Sequence, residues 1–398
     1  MKRSSRLVLL LIVFLAFSLR LYRLGFPLAD WHSWRQADTS AVSRNFVKDG
    51  FDLLHPRFDD LSDVASKLDN PQGYRFVEFP IYNFFQALFY RIFPGLRLEI
   101  WGRLVSIFFS LGSLLFLYLI ADQYLGEKVA LLTAFFFAVL PFNIYYNRTI
   151  LPESLMVFAS LGMLWFFENS WLFIFFAAIS FLIKPFTLVF LLPISYLAWR
   201  KWRFNWLKWR RLGFYLFLAI LPFLSWRLWM RQFPEGIPIS GWLFNMGGIR
   251  FKGAYFWWLF GERISKLILG GWGLIPLGLG LALKPNKKEG LFFLSWLAAI
   301  LAYFAIVASG NVRHDYYQVL AVPIICIFLA KGSYFFLTAP KKHFSQFASR
   351  LVLLVSILFM LAFSWYQVRD YFNINNPAIV KAGQAVQRLT PKKAKVIA

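Results

Sequence analysis

Apolar runs alternate along this chain with short polar breaks. A helix crossing the hydrocarbon core of a bilayer needs a run of about 17–25 mostly apolar residues, and about eleven runs approach or meet that measure. They lie at 6–24, 101–121, 128–147, 151–167, 170–183, 185–199, 212–230, 264–283, 290–308, 316–337 and 350–368. The runs at 170–183 and 185–199 are short and flank Lys184–Pro185, so they form either a tight hairpin or one broken helix. The pattern predicts an all-α, polytopic membrane protein. The N-terminal "MKRSSRLVLLLIVFLAFSLRLYRLG" carries basic residues and an apolar core but no small-x-small cleavage site, so it reads as an uncleaved first span.

Charge sets the sides. With "MKRSSR" in the cytoplasm, alternation places "RKWRFNWLKWRR" (200–211), "KPNKKEG" (284–290) and "PKKHFSQFASR" (340–350) there too. These are the most basic short loops, as the positive-inside bias demands. An odd number of spans leaves the C-terminus outside. The outer face receives residues 25–100, "NRTILPE" (147–153), Lys184–Pro185, residues 231–263, "SGNVRHDYY" (309–317) and the tail.

Composition agrees. Of 398 residues, 59% are hydrophobic and 16% charged, too apolar for a soluble fold of this length. Aromatics reach 21%, which suits lipid-facing surfaces and interfacial belts. The net charge of +24 sits in short loops between apolar runs, so it reads as topogenic charge and not as a nucleic-acid surface. A single cysteine, Cys326, excludes an internal disulfide framework. No P-loop, G-x-G-x-x-G, G-x-S-x-G or H-E-x-x-H is present, which argues against cytosolic nucleotide chemistry.

Ionisable groups collect at span ends on the outer face: Asp30, His32, Asp38, Glu78, Glu153, His314 and Asp315, with Arg35, Arg103, Arg148 and Arg313 at the same level. Such groups at membrane depth are costly and usually face a cavity or site. In the segment 25–100, "ADTSAVSRNF" offers Asp38 or Thr39 as a helix cap, and "FPIYNFFQALFYRIFPG" (79–95) is amphipathic and aromatic. Two interfacial helices joined by a polar loop follow. Glu78, ahead of Phe79–Pro80, fits a helix start as well as it fits a catalytic or metal-binding role. Arg313 and His314 in "RHDY" offer cations to a phosphate.

Several stretches together resemble the GT-C fold membrane glycosyltransferases, specifically the glycosyltransferase family 39-like group with its protein O-mannosyltransferases and lipid A aminoarabinose transferase. The carriers are "SRNFVKDGFDLLHPRFD" (43–59), "FPIYNFFQALFYRIFPG" (79–95), residues 102–156 ending in "LPFNIYYNRTILPESLM", "LIKPFTLVFLLP" (182–193) and "RHDYYQVLAVP" (313–323). The resemblance implies a GT-C-like transmembrane domain over 1–370 with 25–100 as its first external loop. Residues 371–398 read as a polar external tail with a helix at 378–389, a turn at Pro391 and the start of a strand, so either the chain ends at an unusual place or a further external soluble domain begins there. The resemblance implies a polyprenyl- or dolichyl-phosphate-linked sugar as donor, transferred with inversion to an acceptor hydroxyl on the external face. The absence of eukaryote-like insertions points to the plasma membrane of a bacterium or archaeon.

The family's first-loop acidic pair falls on Arg35–Gln36 in this chain. Asp38, three residues after Arg35 on the same helix face, is the expected general base, with Asp30 in reserve and Glu78 as a further catalytic carboxylate. The resemblance places Arg148, Lys184, Arg313 and His314 at the donor phosphate, and His32, Trp34, Arg35, Glu153 and Tyr82 against acceptor or sugar. Asp38, Glu78 and Glu153 are the expected ligands of a divalent metal (Mg, Mn or Zn). The rival readings are a lipid-linked sugar flippase or transporter, and a glycan polymerase or ligase using a lipid-linked donor.

Overall fold

A computed structural model describes residues 3–338, 345–374, 376–391 and 394–396. The described residues are helical, without a strand; one isolated antiparallel bridge joins Arg57 and Tyr74. The helices are α1 (Arg3–Arg20), α2 (Ser33–Asp49), α3 (Ile81–Ile92), α4 (Leu98–Leu125), α5 (Glu127–Val139), α6 (Pro141–Tyr146), α7 (Glu153–Trp165), α8 (Ser170–Ile183), α9 (Leu191–Trp202) and α10 (Trp206–Trp229). Then come the short α11 (Trp242–Asn245) and α12 (Gly253–Phe256), α13 (Leu274–Ala282), α14 (Phe292–Ile306), α15 (Ala308–Arg313), α16 (Val322–Thr338), α17 (Gln346–Val368) and α18 (Pro377–Leu389).

Among the described residues, four helical stretches are long and apolar enough to cross a membrane: Leu98–Leu125, Trp206–Gln232, Asp315–Thr338 and the one that contains α17 (Gln346–Val368). Glu153–Trp165, Ser170–Ile183 and Phe292–Ile306 are shorter apolar helices. The chain is an integral membrane protein. α10 and α17 leave much of their apolar surface uncovered, as lipid-facing helices do, with Phe214, Phe217, Leu351 and Leu358 exposed.

Two runs that read as single spans are broken. The run at 128–147 divides at Leu140–Pro141, where proline withholds a backbone donor. The buried Arg20 side chain donates to the carbonyls of Ala138 at 3.1 Å and Phe137 at 3.2 Å, and Asn143 donates to Phe137 at 2.6 Å. These bonds supply partners to carbonyls at the end of α5. The run at 264–283 divides into a π-helical turn (Trp257–Ile268), a glycine turn and α13. Gly270 and Gly271 have φ of 52° and 74°, and a Cβ on Gly270 would lie 2.4 Å from the Met360 carbonyl oxygen. α13 and α16 touch backbone to backbone: a Cβ on Gly332 would lie 1.9 Å from the Pro276 oxygen.

Helices α2 and α3 lie where the sequence predicted two interfacial helices in the first loop; α3 is amphipathic, whereas α2 is polar overall. α2 starts earlier than its capping chemistry suggested: Ser33 opens it, with His32 as N-cap, so Asp38 and Thr39 lie within the helix. The Thr39 hydroxyl instead donates to the Arg35 carbonyl at 2.8 Å, one turn back. The tail helix expected at 378–389 is α18; the strand expected to begin near 396 lies largely outside the described residues, as does part of the 340–350 loop.

Basic loops from different parts of the chain meet each other. Arg200 donates to the carbonyls of Lys287 and Lys288, and Glu289 of the same loop pairs with the buried Lys331 of α16 at 2.9 Å. The acid-rich span ends gather separately, in the site described next.

Candidate functional site

The site rests on α2, α3 and α4, which are joined by buried polar side chains. Tyr82 donates its hydroxyl to the Gly102 carbonyl at 2.7 Å and lies 2.8 Å from the Ser106 hydroxyl. Gln86 bonds Ser40 at 3.1 Å, Ser43 at 2.8 Å and the Leu98 carbonyl at 3.0 Å. The small residue at 102 permits this approach, because a Cβ there would lie 2.6 Å from the Gln86 amide nitrogen. Buried polar groups fully partnered in this way fix one arrangement of the helices.

Against this platform lies a row of alternating charges. Arg35 pairs with Glu78, and Lys184 pairs with Glu153 while standing 3.9 Å from Glu78. The Lys184 ammonium also lies 5.4 Å and 5.0 Å from the ring centres of Tyr316 and Tyr317. One Glu153 oxygen has no hydrogen-bond partner. Asp38 pairs with Arg75 at 2.8 Å, and the Arg75 guanidinium covers Phe58 at 4.5 Å. A small cavity opens here, lined by Arg35, Arg75, Glu78, Tyr82, Asn83 and Pro152.

Burial raises the Asp38 carboxyl above its usual range, against the opposing pull of Arg75 and Arg35. Burial also acts to raise Glu78, but the Arg35 and Lys184 charges outweigh it and hold that carboxyl low. Burial would lower Lys184; Glu153 and its neighbours keep it raised. Arg75 is pushed down to about 10 by burial and by Arg35. The Asp38 side chain is 27% exposed and that of Glu78 14%, against 6% for Arg35 and 2% for Glu153.

Asp30 and Arg148 occupy a different position. Asp30 accepts from Gln36 at 2.7 Å and faces Arg103 at 3.4 Å and Arg148 at 3.7 Å, all within the interior. Burial raises the Asp30 carboxyl over the opposing effect of the two arginines. Arg148 also donates to the Arg23 carbonyl at 2.9 Å. Both are fully covered and offer nothing to a substrate in this arrangement.

The "RHDY" stretch divides by residue. Asp315 is enclosed by Trp31, His32, Tyr146, Tyr371 and Arg263. His314 stacks on Tyr316 with ring centres 5.4 Å apart and meets Trp34 and Trp242 edge-on or tilted. Burial and the nearby His32 push His314 down to about 4. Arg313 is exposed and lies over Trp242 at 5.4 Å, and Trp34 is 52% exposed.

The structure thus brings Arg35, Asp38, Glu78, Glu153, Lys184 and Tyr82 to one place, with His32, Trp34, Arg313 and His314 on an adjoining wall. Arg75, Tyr317 and Tyr371 were not singled out from the sequence, and Tyr316 only as the phenol of "RHDY". Arg75 carried a weak signal, as the cation three residues before Glu78 in "YRFVEFP".

A divalent metal does not fit the expected ligands as they stand. Asp38, Glu78 and Glu153 each face a cation already, and among the described residues no group of three or more His, Cys, Asp or Glu could hold a metal ion.

Residues 71–229 match the sequence family described as dolichyl-phosphate-mannose-protein mannosyltransferase. No curated protein matches the chain. Among solved structures, ArnT from Cupriavidus metallidurans bound to undecaprenyl phosphate is similar with a TM-score of 0.68 at 16% identity, over 96% of this chain and 81% of that one. The Archaeoglobus fulgidus oligosaccharyltransferase, solved with Zn and sulfate, has a TM-score of 0.59 at 12% identity, over 97% of this chain and 56% of that one. AglB, the archaeal oligosaccharyltransferase of the same organism, solved with an inhibitory peptide and a dolichol-phosphate, has 0.57 at 12%, over 98% and 58%. The shared architecture is the GT-C fold.

Proposed function

We propose that this GT-C-fold protein is a glycosyltransferase that moves a sugar from a polyprenyl-phosphate donor to an acceptor hydroxyl, with inversion, on the outer face of the membrane. One observation carries the reading: two partly open carboxylates, Asp38 on α2 and Glu78 in the segment just before α3, stand among the cations Arg35, Arg75 and Lys184 beside a cavity, in the first loop of a GT-C fold. The family match over 71–229 and the likeness to a protein solved with undecaprenyl phosphate support the donor class.

In the proposed reaction Asp38 takes the acceptor hydroxyl proton as the oxygen attacks the anomeric carbon. The bond between that carbon and the donor phosphate oxygen breaks, and the polyprenyl phosphate leaves with the electron pair. A carboxyl raised by burial is a better proton acceptor once ionised than an ordinary one, and Asp38 has that property. Exposed Arg313 and the neighbouring His314 face the leaving phosphate, while Lys184 acts through the charge row it anchors. Glu78, paired with Arg35, is the second carboxylate at the acceptor, and His32 and Trp34 stand on the adjoining wall. Asp30 and Arg148 hold the first loop against α4. No step uses a metal.

A second reading, transfer of a large lipid-linked glycan, is favoured by the likeness to the archaeal oligosaccharyltransferases. A survey in proteoliposomes separates the two. Undecaprenyl-phosphate-linked monosaccharides and an undecaprenyl-diphosphate-linked oligosaccharide are supplied with total lipid and protein acceptors. Turnover of a monosaccharide donor supports the first reading; turnover of the oligosaccharide alone supports the second; turnover of neither rejects both.

A further inference from the structure

The Asp315 carboxylate joins parts of the chain that are far apart in sequence. Its Oδ1 accepts from the Tyr146 hydroxyl at 2.5 Å and lies 2.6 Å from His32 Nε2. Its Oδ2 accepts from the Tyr371 hydroxyl at 2.6 Å and from Trp31 Nε1 at 3.2 Å, with Arg263 Nη1 at 3.7 Å. A carboxylate offers about four acceptor positions, and here donors surround both oxygens. The side chain is 1% exposed, so it touches neither solvent nor substrate.

Two of those donors bear on the site. His32 begins α2 with φ 57°, a conformation uncommon for residues other than glycine, and its carbonyl accepts from Arg35 at 3.1 Å and Gln36 at 3.2 Å. The imidazole that Asp315 holds therefore belongs to the residue that sets the first turn of α2. Arg35 lies three residues further on, and Asp38 three beyond that, on the same face. Tyr371 lies just past α17. Its ring stacks on Trp31 at 4.9 Å, and its carbonyl accepts from the Trp31 backbone at 3.1 Å.

We propose that Asp315 is a positioning residue: through His32 it fixes the start of α2, and through Tyr371 it ties that start to the end of the last apolar helix, holding Arg35 and Asp38 in catalytic register. The catalytic half of this inference rests on the function proposed above; the mechanical half stands on contacts alone.

The test uses the full-length protein in nanodiscs, with Asp315→Asn, Tyr371→Phe, His32→Ala and the pairwise double variants. Hydrogen exchange is followed over the first turns of α2 and over residues 369–372, and undecaprenyl phosphate binding gives the fraction of folded protein. Asp315→Asn should speed exchange in both segments by about tenfold or more, as a released local unit does. Tyr371→Phe should speed it in α2, although Tyr371 belongs to neither α2 nor its loop. With an active donor, Asp315→Asn should lower kcat by about a hundredfold, the scale for a small misplacement of reacting groups, at unchanged KM and undecaprenyl phosphate stoichiometry. The His32→Ala/Asp315→Asn double variant should be no worse than the weaker single. Unchanged α2 exchange in Asp315→Asn would overturn the proposal, whether or not any donor turns over. A fall in kcat matched by an equal fall in binding stoichiometry would overturn the catalytic half, because it reports lost fold. If wild type turns over no donor, the function reading fails and the exchange data alone decide the mechanical half.

Discussion

Lys184→Met removes the cation on which the charge row depends. Lys184 pairs with Glu153, whose side chain is 2% exposed, and stands 3.9 Å from Glu78. Glu153 already has one oxygen without a partner, so loss of Lys184 leaves a buried carboxylate with almost no compensation. Glu78 keeps Arg35 and is affected less. Breaking one side of a buried ion pair costs about 3–5 kcal/mol, and this geometry belongs in that range. The same reasoning gives a sharper expectation for the double variant Lys184→Met/Glu153→Leu. Replacing both partners by apolar groups removes the desolvation cost of both charges, so most of the loss should return. The assay is reversible unfolding of the purified protein in mixed micelles, titrated with dodecyl sulfate. The reasoning is refuted if the single variant loses no more than about 1 kcal/mol, the value of a solvated pair, or if the double variant is as unstable as the single.

Three further outcomes follow from the structure. His314 is held at about 4 against an ordinary 6.5, chiefly by burial. The unfolded state therefore binds the extra proton first, and stability from the neutral ring is lost as pH falls from 6.5 toward 4. Unfolding of His314→Phe compared with wild type should show a shallower decline in that window, and identical slopes would exclude the effect. Gly332→Leu places side-chain carbons where the Pro276 carbonyl stands 1.9 Å from an added Cβ, so α13 and α16 must separate. A loss of about 1–3 kcal/mol or more is expected from overpacking, and a neutral result would show that the two helices do not cross so closely. Chelation with EDTA should leave transfer unchanged, because the candidate carboxylates are taken by cations; abolition of turnover, with recovery on adding Mn, would contradict that assignment.

The apolar runs revealed most of the helices because each run must satisfy its own backbone within a bilayer, a local demand that leaves a local pattern. The breaks were less legible. Leu140–Pro141 and Gly270–Gly271 are ordinary pairs in apolar sequence until Arg20 or Met360 is known to stand against them. The start of α2 was misplaced for a similar reason. Asp38 and Thr39 suit a cap, but Asp315, 283 residues from His32 along the chain, holds the helix start further back. Burial separated residues that the sequence treated alike. Asp30 and Asp38 are both first-loop carboxylates near a span end, yet one is enclosed by Arg103 and Arg148 and the other opens to solvent beside Arg75. Partners at that separation leave no periodicity to read.

In the proposed reaction a carboxylate on α2, Asp38, deprotonates an acceptor attacking a polyprenyl-phosphate sugar. The most direct measurement is transfer of radiolabelled sugar from undecaprenyl-phosphate donors to endogenous acceptors in purified membranes, comparing wild type with Asp38→Asn at equal undecaprenyl phosphate binding. Wild type should give product, and the variant a rate lower by about a hundred- to ten-thousandfold, the usual contribution of a general base. Equal rates in the two proteins would contradict the role of Asp38, and product in neither, with undecaprenyl phosphate still bound, would contradict transfer itself.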